Sequence, residues 1–127
     1  MASASEVRTL EKWKNGNLFN KTLYSLNGLR VSLMTEKAVR NEFLAAAGFV
    51  ALALFCGCDF DDVFLVFLAS LSPIVVELIN TAVERRIDTN DGPAFREDVR
   101  IQKDTLSAAV FLSLFIAYGL CLKIIFF

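Results

Sequence analysis

Three long uncharged runs, separated by charged segments, dominate the hydrophobic pattern. They cover residues 43–58, 63–76 and 106–122. A helix needs roughly 17–25 mostly apolar residues to cross a bilayer, so the first run is just short of a span and gains length from its flanks. The second run contains Pro73 but continues in helical register through Glu77. The pattern predicts transmembrane helices over residues 36–58, 62–88 and 104–123.

A shorter amphipathic pattern precedes these runs. Leu and Phe recur at helical spacing over residues 18–34, with Asn, Lys and Arg between them. Such a helix can lie in the bilayer interface, its basic side chains reaching the headgroups, and the alternative for this segment alone is an amphipathic helix on a soluble core. With the three runs, the sequence predicts an all-α membrane protein. We expect a single membrane domain over residues 1–127, in which residues 1–34 form a polar N-terminus and an amphipathic surface helix.

The segments between the runs carry turn and helix signals. Asp-Phe-Asp-Asp at 59–62 predicts a tight acidic connector. Thr-Asn-Asp-Gly-Pro at 89–93 predicts a turn, because Gly and Pro interrupt helices. The charged residues that follow predict a short separate helix over residues 94–104.

The distribution of basic residues predicts an orientation in the membrane. Seven Lys and Arg precede Phe43, five lie between the second and third runs, and residues 59–62 contain none. Cytoplasmic loops of membrane proteins are enriched in Lys and Arg. The N-terminus and the middle loop are therefore predicted to be cytoplasmic.

Composition narrows the chemistry. Of the 127 residues, 55% are hydrophobic, and the formal net charge is −1, so the chain has no electrostatic basis for binding nucleic acid. It contains no His, which removes the commonest general base and transition-metal ligand. The Cys56-Gly57-Cys58 segment, without His or a second cysteine pair, is a weak zinc or redox signal. We interpret Cys56, Cys58 and Cys121 as buried thiols.

A polar stripe interrupts the end of the second run. Glu77, Asn80, Glu84 and Asp88 fall on one face of a helix at about 100° per residue. An ionisable residue inside a membrane segment is costly and is a functional hypothesis by default. Oxygen ligands on one face can hold a hard cation. The alternative is a polar seam between packed helices.

Two further polar groups lie near the same predicted membrane boundary. Glu36 and Arg40 precede the first run, and Lys103-Asp104 precedes the third. Acids from two helices with nearby cations are what phosphoryl transfer requires, since carboxylates hold Mg²⁺ and cations offset developing charge. No phosphate-binding loop or protein-kinase signature is present. Ion transport and a structural membrane role stay open from these residues alone. Glu42 is either part of this group or a charge at a helix end.

From about Tyr24 to its end, the chain resembles the small prokaryotic integral-membrane diacylglycerol kinases. The Glu-Leu-x-Asn-Thr-Ala-x-Glu motif over 77–84 is specific, and the order and spacing of all segments agree. The matching segments are Tyr24-Ser25-Leu26-Asn27-Gly28-Leu29-Arg30, Glu36-Lys37-Ala38-Val39-Arg40-Asn41-Glu42, Val76 to Glu84 with Asp88 following, and Lys103-Asp104 leading into Ser107-Ala108-Ala109-Val110.

The resemblance implies an ATP-dependent lipid kinase of the bacterial inner membrane. It implies a homotrimer of three-span subunits whose active sites are shared between neighbours. ATP is the co-substrate, with Mg²⁺ as cofactor, and diacylglycerol is converted to phosphatidic acid. Glu77 matches the catalytic base, and Glu36 and Glu84 match the carboxylates that bind the divalent ions.

The resemblance also implies contacts with the nucleotide or the lipid. Asn80 matches a motif residue near the reacting phosphate, and Lys103 with Asp104 matches the nucleotide side. Less specific nucleotide- or substrate-contacting positions are matched by Tyr24, Ser25 and Arg40. Two residues depart from the pattern: Leu106 stands where relatives often have a small residue, and Asn17 aligns with an Arg of some relatives.

Two alternatives to diacylglycerol kinase activity remain. Within the same family, the lipid alcohol is undecaprenol. From a different class, the chain is a non-enzymatic helical membrane oligomer, or an ion-conducting one whose pore Glu77 lines.

Overall fold

The computed structural model of the protein describes Ser3, Ala4, residues 17–91 and residues 96–127. From Leu18 onward these residues form four helices, and no strand occurs among the described residues. The helices are α1 (Leu18–Thr35), α2 (Lys37–Phe55), α3 (Phe60–Asp91) and α4 (Glu97–Phe126). The prediction of an all-α protein is confirmed.

Three of these helices are long and apolar enough to cross a membrane, namely α2, α3 and α4. Many of their large apolar side chains are exposed, among them Phe111, Phe115 and Ile116. Apolar side chains on the outside of a helical unit are expected where lipid rather than water is the solvent. The prediction of three transmembrane helices is confirmed.

The helix boundaries correct two predictions in the middle of the chain. The predicted charged helix and the third apolar run are one continuous helix, α4, which begins at Glu97. Thr89, Asn90 and Asp91 belong to α3 rather than to a turn. Because Pro93 restricts only the residue directly before it, the chain up to Asp91 is free to remain helical. Gly92 and Pro93 themselves lie outside the described residues.

The turn between α2 and α3 is built around Gly57. Its φ of +76° lies in the left-handed region, where only glycine is free of the Cβ penalty. The Gly57 N–H donates to the Leu54 carbonyl at 3.1 Å, and the Cys58 N–H donates to the Ala53 carbonyl at 3.1 Å. This pair of hydrogen bonds is the Schellman motif, which satisfies carbonyls at a helix end and stops α2.

The acidic residues predicted as a connector mostly begin the next helix. Asp59 is the cap, because its Oδ1 accepts a hydrogen bond from the Asp62 N–H at 2.8 Å. Asp61 and Asp62 lie in the first turn of α3, where negative charge is stabilised by the helix dipole. The connector is therefore shorter than predicted.

The described chain divides into two compact units, the first ending at Thr35 and the second covering Glu36–Phe127. In the first, α1 is the predicted helix, and its placement at the bilayer interface stays a prediction. In the second, α3 packs against both α2 and α4, so α3 is the central helix. A small core forms where the three meet, made of Ala53, Val66, Cys121 and Ile125.

The cysteines differ in their burial. Cys121 is fully buried, and its thiol lies 3.7 Å from the Val66 carbonyl oxygen. Cys58 is half-buried, but Cys56 is exposed at the end of α2. The prediction of three buried thiols is therefore wrong for Cys56, because that residue ends its helix and faces outward.

Pro73 lies inside α3, where it is fully buried and lacks the N–H that would bond the Ala69 carbonyl. The Ser72 hydroxyl donates to that carbonyl instead, at 2.7 Å. We expect Ser72→Ala to lower the free energy of unfolding by about 1 kcal/mol, the usual net value of one hydrogen bond. Unfolding in mixed micelles by titration with a denaturing detergent measures this change.

The matched control for this hydrogen bond is the same substitution in a Pro73→Ala background. There the restored backbone N–H of residue 73 can donate to the Ala69 carbonyl, so removing the hydroxyl of Ser72 should cost less. An equal cost in both backgrounds would show that Ser72 does not replace the missing proline donor.

Candidate active site

The site begins on the buried face of α3. Glu77, Asn80 and Thr81 are only 6%, 8% and 4% exposed, although all three are polar. The Asn80 side-chain amide donates to Glu77 Oε1 at 3.4 Å. A spacing of three residues places the two side chains one above the other on a helix. The predicted stripe therefore has a buried carboxylate oriented by a carboxamide.

Other carboxylates surround Glu77. Glu36, Glu42 and Glu84 each lie near enough to Glu77 for electrostatic repulsion between the carboxylates. We call Glu36, Glu42, Glu77 and Glu84 the acidic cluster. It joins the segment before α2, the first turns of α2 and the second half of α3. Glu42 and Glu77 are buried, whereas Glu36 and Glu84 are partly exposed. Like charges are costly away from water, so the buried members require cations, protons or hydrogen-bond donors to balance them.

Glu42 is the member whose role the sequence left open. It is 6% exposed, and its Oε2 has no hydrogen-bond partner among the described residues. The Asn80 Oδ1 atom is buried without a partner in the same sense. Buried acceptors without donors are rare in proteins, and a bound ligand is one explanation. The available sequence signal was a charge directly before sixteen uncharged residues, which also fits an ordinary helix end.

Two ion pairs hold predicted site residues at the edge of this region. Arg85 Nη2 lies 3.0 Å from Glu36 Oε1, which joins α3 to the start of α2. Lys103 Nζ lies 2.6 Å from Asp88 Oδ1, which joins α4 to the end of α3. All four side chains are partly exposed, so water screens both pairs.

The remaining predicted residues are less closely connected to the acidic cluster. Asp104 is exposed, and its Oδ2 lies 3.9 Å from Arg100 Nη1 of the same helix. Arg40 is exposed in the first turn of α2. Tyr24 and Ser25 lie on α1 in the first unit, where the Ser25 hydroxyl donates to the Lys21 carbonyl at 3.0 Å. The functional roles predicted for these residues stay predictions.

The acidic cluster can supply part of a magnesium site. Among residues 17–91 and 96–127, no three Cys, Asp or Glu side chains converge as a complete metal site. Mg²⁺ commonly takes only one or two carboxylates and completes its shell with waters and substrate phosphates. The carboxylates of Glu36 and Glu84, both near Glu77, have the hard oxygen ligands that this partial site needs.

Comparisons with known proteins converge on one family. A family model described as prokaryotic diacylglycerol kinase matches residues 23–125. A diacylglycerol kinase of Haemophilus influenzae is 35% identical over 98 residues, which cover 77% of this chain and 82% of that protein. Diacylglycerol kinases of Helicobacter pylori and Escherichia coli K12 are each 33% identical, over 76% and 74% of this chain and 75% and 76% of their own lengths.

Proposed function

The chain belongs to the prokaryotic diacylglycerol kinase family, and we propose that it transfers the γ-phosphoryl group of ATP to the primary hydroxyl of diacylglycerol. The products are phosphatidic acid and ADP. The observation that best supports this reaction is the buried carboxylate of Glu77, oriented by Asn80 within the acidic cluster. A lipid kinase needs such a group because its acceptor is an alcohol, whose proton must be removed as the new bond forms.

Glu77 and Asn80 carry the acid–base part of the proposed mechanism. The lipid hydroxyl oxygen forms a bond to the γ-phosphorus while the bond from that phosphorus to the ADP oxygen breaks. The Glu77 carboxylate accepts the hydroxyl proton, and the hydrogen bond from Asn80 holds Glu77 in one orientation. Since phosphoryl transfer depends mainly on positioning and charge stabilisation, the fixed orientation is as important as the proton transfer.

The nucleotide side of the site consists of groups nearer the helix ends. Glu36 and Glu84 would hold Mg²⁺ together with phosphate oxygens, and the ion would neutralise negative charge on the transferring group. Lys103 would contact a phosphate, with Asp104 beside it in the sequence. Tyr24, Ser25 and Arg40 are proposed to contact the nucleotide or the lipid.

The proposed setting is the bacterial inner membrane. The bias of Lys and Arg supports a cytoplasmic N-terminus and middle loop, which gives Lys103 access to ATP. The apolar surface of α2, α3 and α4 supports lateral entry of the lipid from the bilayer. Following the family resemblance, we propose a homotrimer with sites shared between subunits.

The test is transfer of radiolabelled phosphate from ATP in mixed micelles. Dioleoylglycerol and undecaprenol are offered in parallel, each with Mg²⁺ present and with Mg²⁺ chelated. We expect labelling of dioleoylglycerol that is lost on chelation, because two carboxylates and the ATP phosphates would otherwise face one another without a cation.

The other outcomes of this assay decide between the alternatives. Preferential labelling of undecaprenol would identify a polyprenol kinase. Absence of labelling of either lipid, from a protein shown to be folded, would contradict the proposed reaction and favour the non-enzymatic oligomer. Labelling that persists after complete chelation would contradict the proposed magnesium site alone.

A further inference from the structure

Two residues of α3 form ion pairs with side chains that are proposed to bind the metal–nucleotide complex. Neither residue belongs to the proposed catalytic or nucleotide-binding groups. Arg85 contacts Glu36 at 3.0 Å, and Glu36 is a proposed ligand of Mg²⁺. Asp88 contacts Lys103 at 2.6 Å, and Lys103 is a proposed phosphate contact. One pair thus places a cation on the carboxylate, and the other places an anion on the ammonium group.

Each partner has the charge of the ligand group that would replace it. Arg85 is positively charged, like the divalent cation, and Asp88 is negatively charged, like a phosphate. The Glu36 Oε1 atom accepts a hydrogen bond from Arg85, and a carboxylate can make stronger bonds to a divalent cation than to a screened guanidinium. The arrangement therefore resembles a bound metal–nucleotide site with protein charges in place of ligand charges.

We propose that Arg85 and Asp88 are exchange partners, which neutralise Glu36 and Lys103 before the metal–nucleotide complex binds and release them when it does. Glu36 exchanges Arg85 for the divalent cation, and Lys103 exchanges Asp88 for phosphate oxygens. This inference rests on the proposed kinase function. It assigns positioning roles to two residues that would not contact the reacting atoms.

The exchange is favourable because the existing ion pairs are weak and because Arg85 and Asp88 can form a new ion pair after their release. The side chains of Arg85 and Glu36 are 48% and 36% exposed, so the pair is screened by water. Arg85 and Asp88 are three positions apart on α3, the spacing at which oppositely charged side chains of one helix interact. Once released, the two can pair with each other, so the exchange leaves no isolated charge.

A pair of adjacent arginines allows a matched test. Arg85→Gln and Arg86→Gln each remove one positive charge from the same exposed turn of α3, but only Arg85 is bonded to Glu36. The readout is binding of Mn²⁺ with a non-hydrolysable ATP analogue to the full chain in micelles. The further loss of the electron paramagnetic resonance signal of free Mn²⁺, relative to the same Mn²⁺ and analogue without protein, reports this binding without any turnover.

We expect Arg85→Gln to tighten Mn²⁺–nucleotide binding about two- to fivefold, the fold-change that corresponds to losing a screened competing pair. Arg86→Gln should leave the affinity within about twofold of wild type, since it releases no carboxylate. The second pair is tested in the same way. Asp88→Asn should tighten binding, whereas Asp98→Asn, which removes the carboxylate paired with Arg96 and leaves the Lys103–Asp88 pair intact, should not.

Equal shifts for Arg85→Gln and Arg86→Gln would overturn the exchange, because they would show a general effect of charge. Weaker binding by Arg85→Gln would also overturn it and would make Arg85 a nucleotide contact. Failure of the exchange is distinguishable from failure of the kinase function. In the first case wild type binds the complex and phosphorylates lipid while the variants behave alike, and in the second wild type does neither.

Discussion

Glu77→Gln is expected to lower kcat for lipid phosphorylation by about 10²–10⁴-fold, the usual contribution of a positioned general base. Glutamine has nearly the same shape as glutamate but cannot accept the hydroxyl proton. Glu77 is 6% exposed and hydrogen-bonded to Asn80, so a base from the solvent has little access to accept the proton in its place. The measurement is radiolabelled phosphate transfer to dioleoylglycerol at saturating ATP.

The control for this substitution is Glu97→Gln, which removes a carboxylate at the exposed start of α4. It should retain wild-type kcat. Binding of the ATP analogue should be nearly unchanged in Glu77→Gln, since the loss concerns proton transfer rather than nucleotide affinity. Retained turnover in Glu77→Gln would show that Glu77 is not the base. If wild type has no kinase activity and Glu77→Gln alters ion conductance, the ion-conducting oligomer would be favoured instead.

The number and type of membrane helices were predictable because the bilayer imposes a simple rule on the sequence. Every backbone polar group of a span must be bonded within the protein, so a long uncharged run such as 106–122 has few structures available. Hydropathy, however, indicates where a helix passes from lipid into water, and not where the helix ends. The charged residues from Glu97 to Asp104 were therefore predicted as a separate helix, although the backbone of α4 continues through them.

Helix ends were less predictable because they depend on particular backbone hydrogen bonds. At the end of α2, the left-handed conformation of Gly57 and the two Schellman hydrogen bonds decide the boundary. At the end of α3, the sequence signals of Thr89 and Asn90 indicated a turn. In the structure the Thr89 hydroxyl instead donates to the Arg85 carbonyl at 2.8 Å, inside the helix.

The candidate site was predictable where its residues share one helix. The contact between Glu77 and Asn80 follows from their spacing on α3. Pairings between helices did not follow from any local pattern. The burial of Glu42 and the contacts of Arg85 and Asp88 require knowledge of how α2, α3 and α4 pack. Sequence spacing thus identified the groups on one helix but not their partners on the others.

Replacing Glu36 and replacing Glu84 should weaken metal binding to different extents. Glu36 already has the guanidinium of Arg85 as a partner at 3.0 Å, whereas Glu84 forms no ion pair with another described residue. Replacing Glu36 removes a metal ligand but also removes the competition with Arg85. Replacing Glu84 removes a ligand without such compensation. The two substitutions should therefore have effects of different size.

We expect Glu84→Gln to weaken Mn²⁺–nucleotide binding by about 10–100-fold, which corresponds to losing one strong charged interaction of roughly 1.5–3 kcal/mol. Glu36→Gln should weaken it by a smaller factor. The measurement is again the resonance signal of free Mn²⁺ with the ATP analogue and the full chain, with Glu97→Gln as the control of equal charge. Unchanged affinity in both variants would remove Glu36 and Glu84 as metal ligands. A larger loss for Glu36→Gln than for Glu84→Gln would keep the metal site but contradict the competition by Arg85.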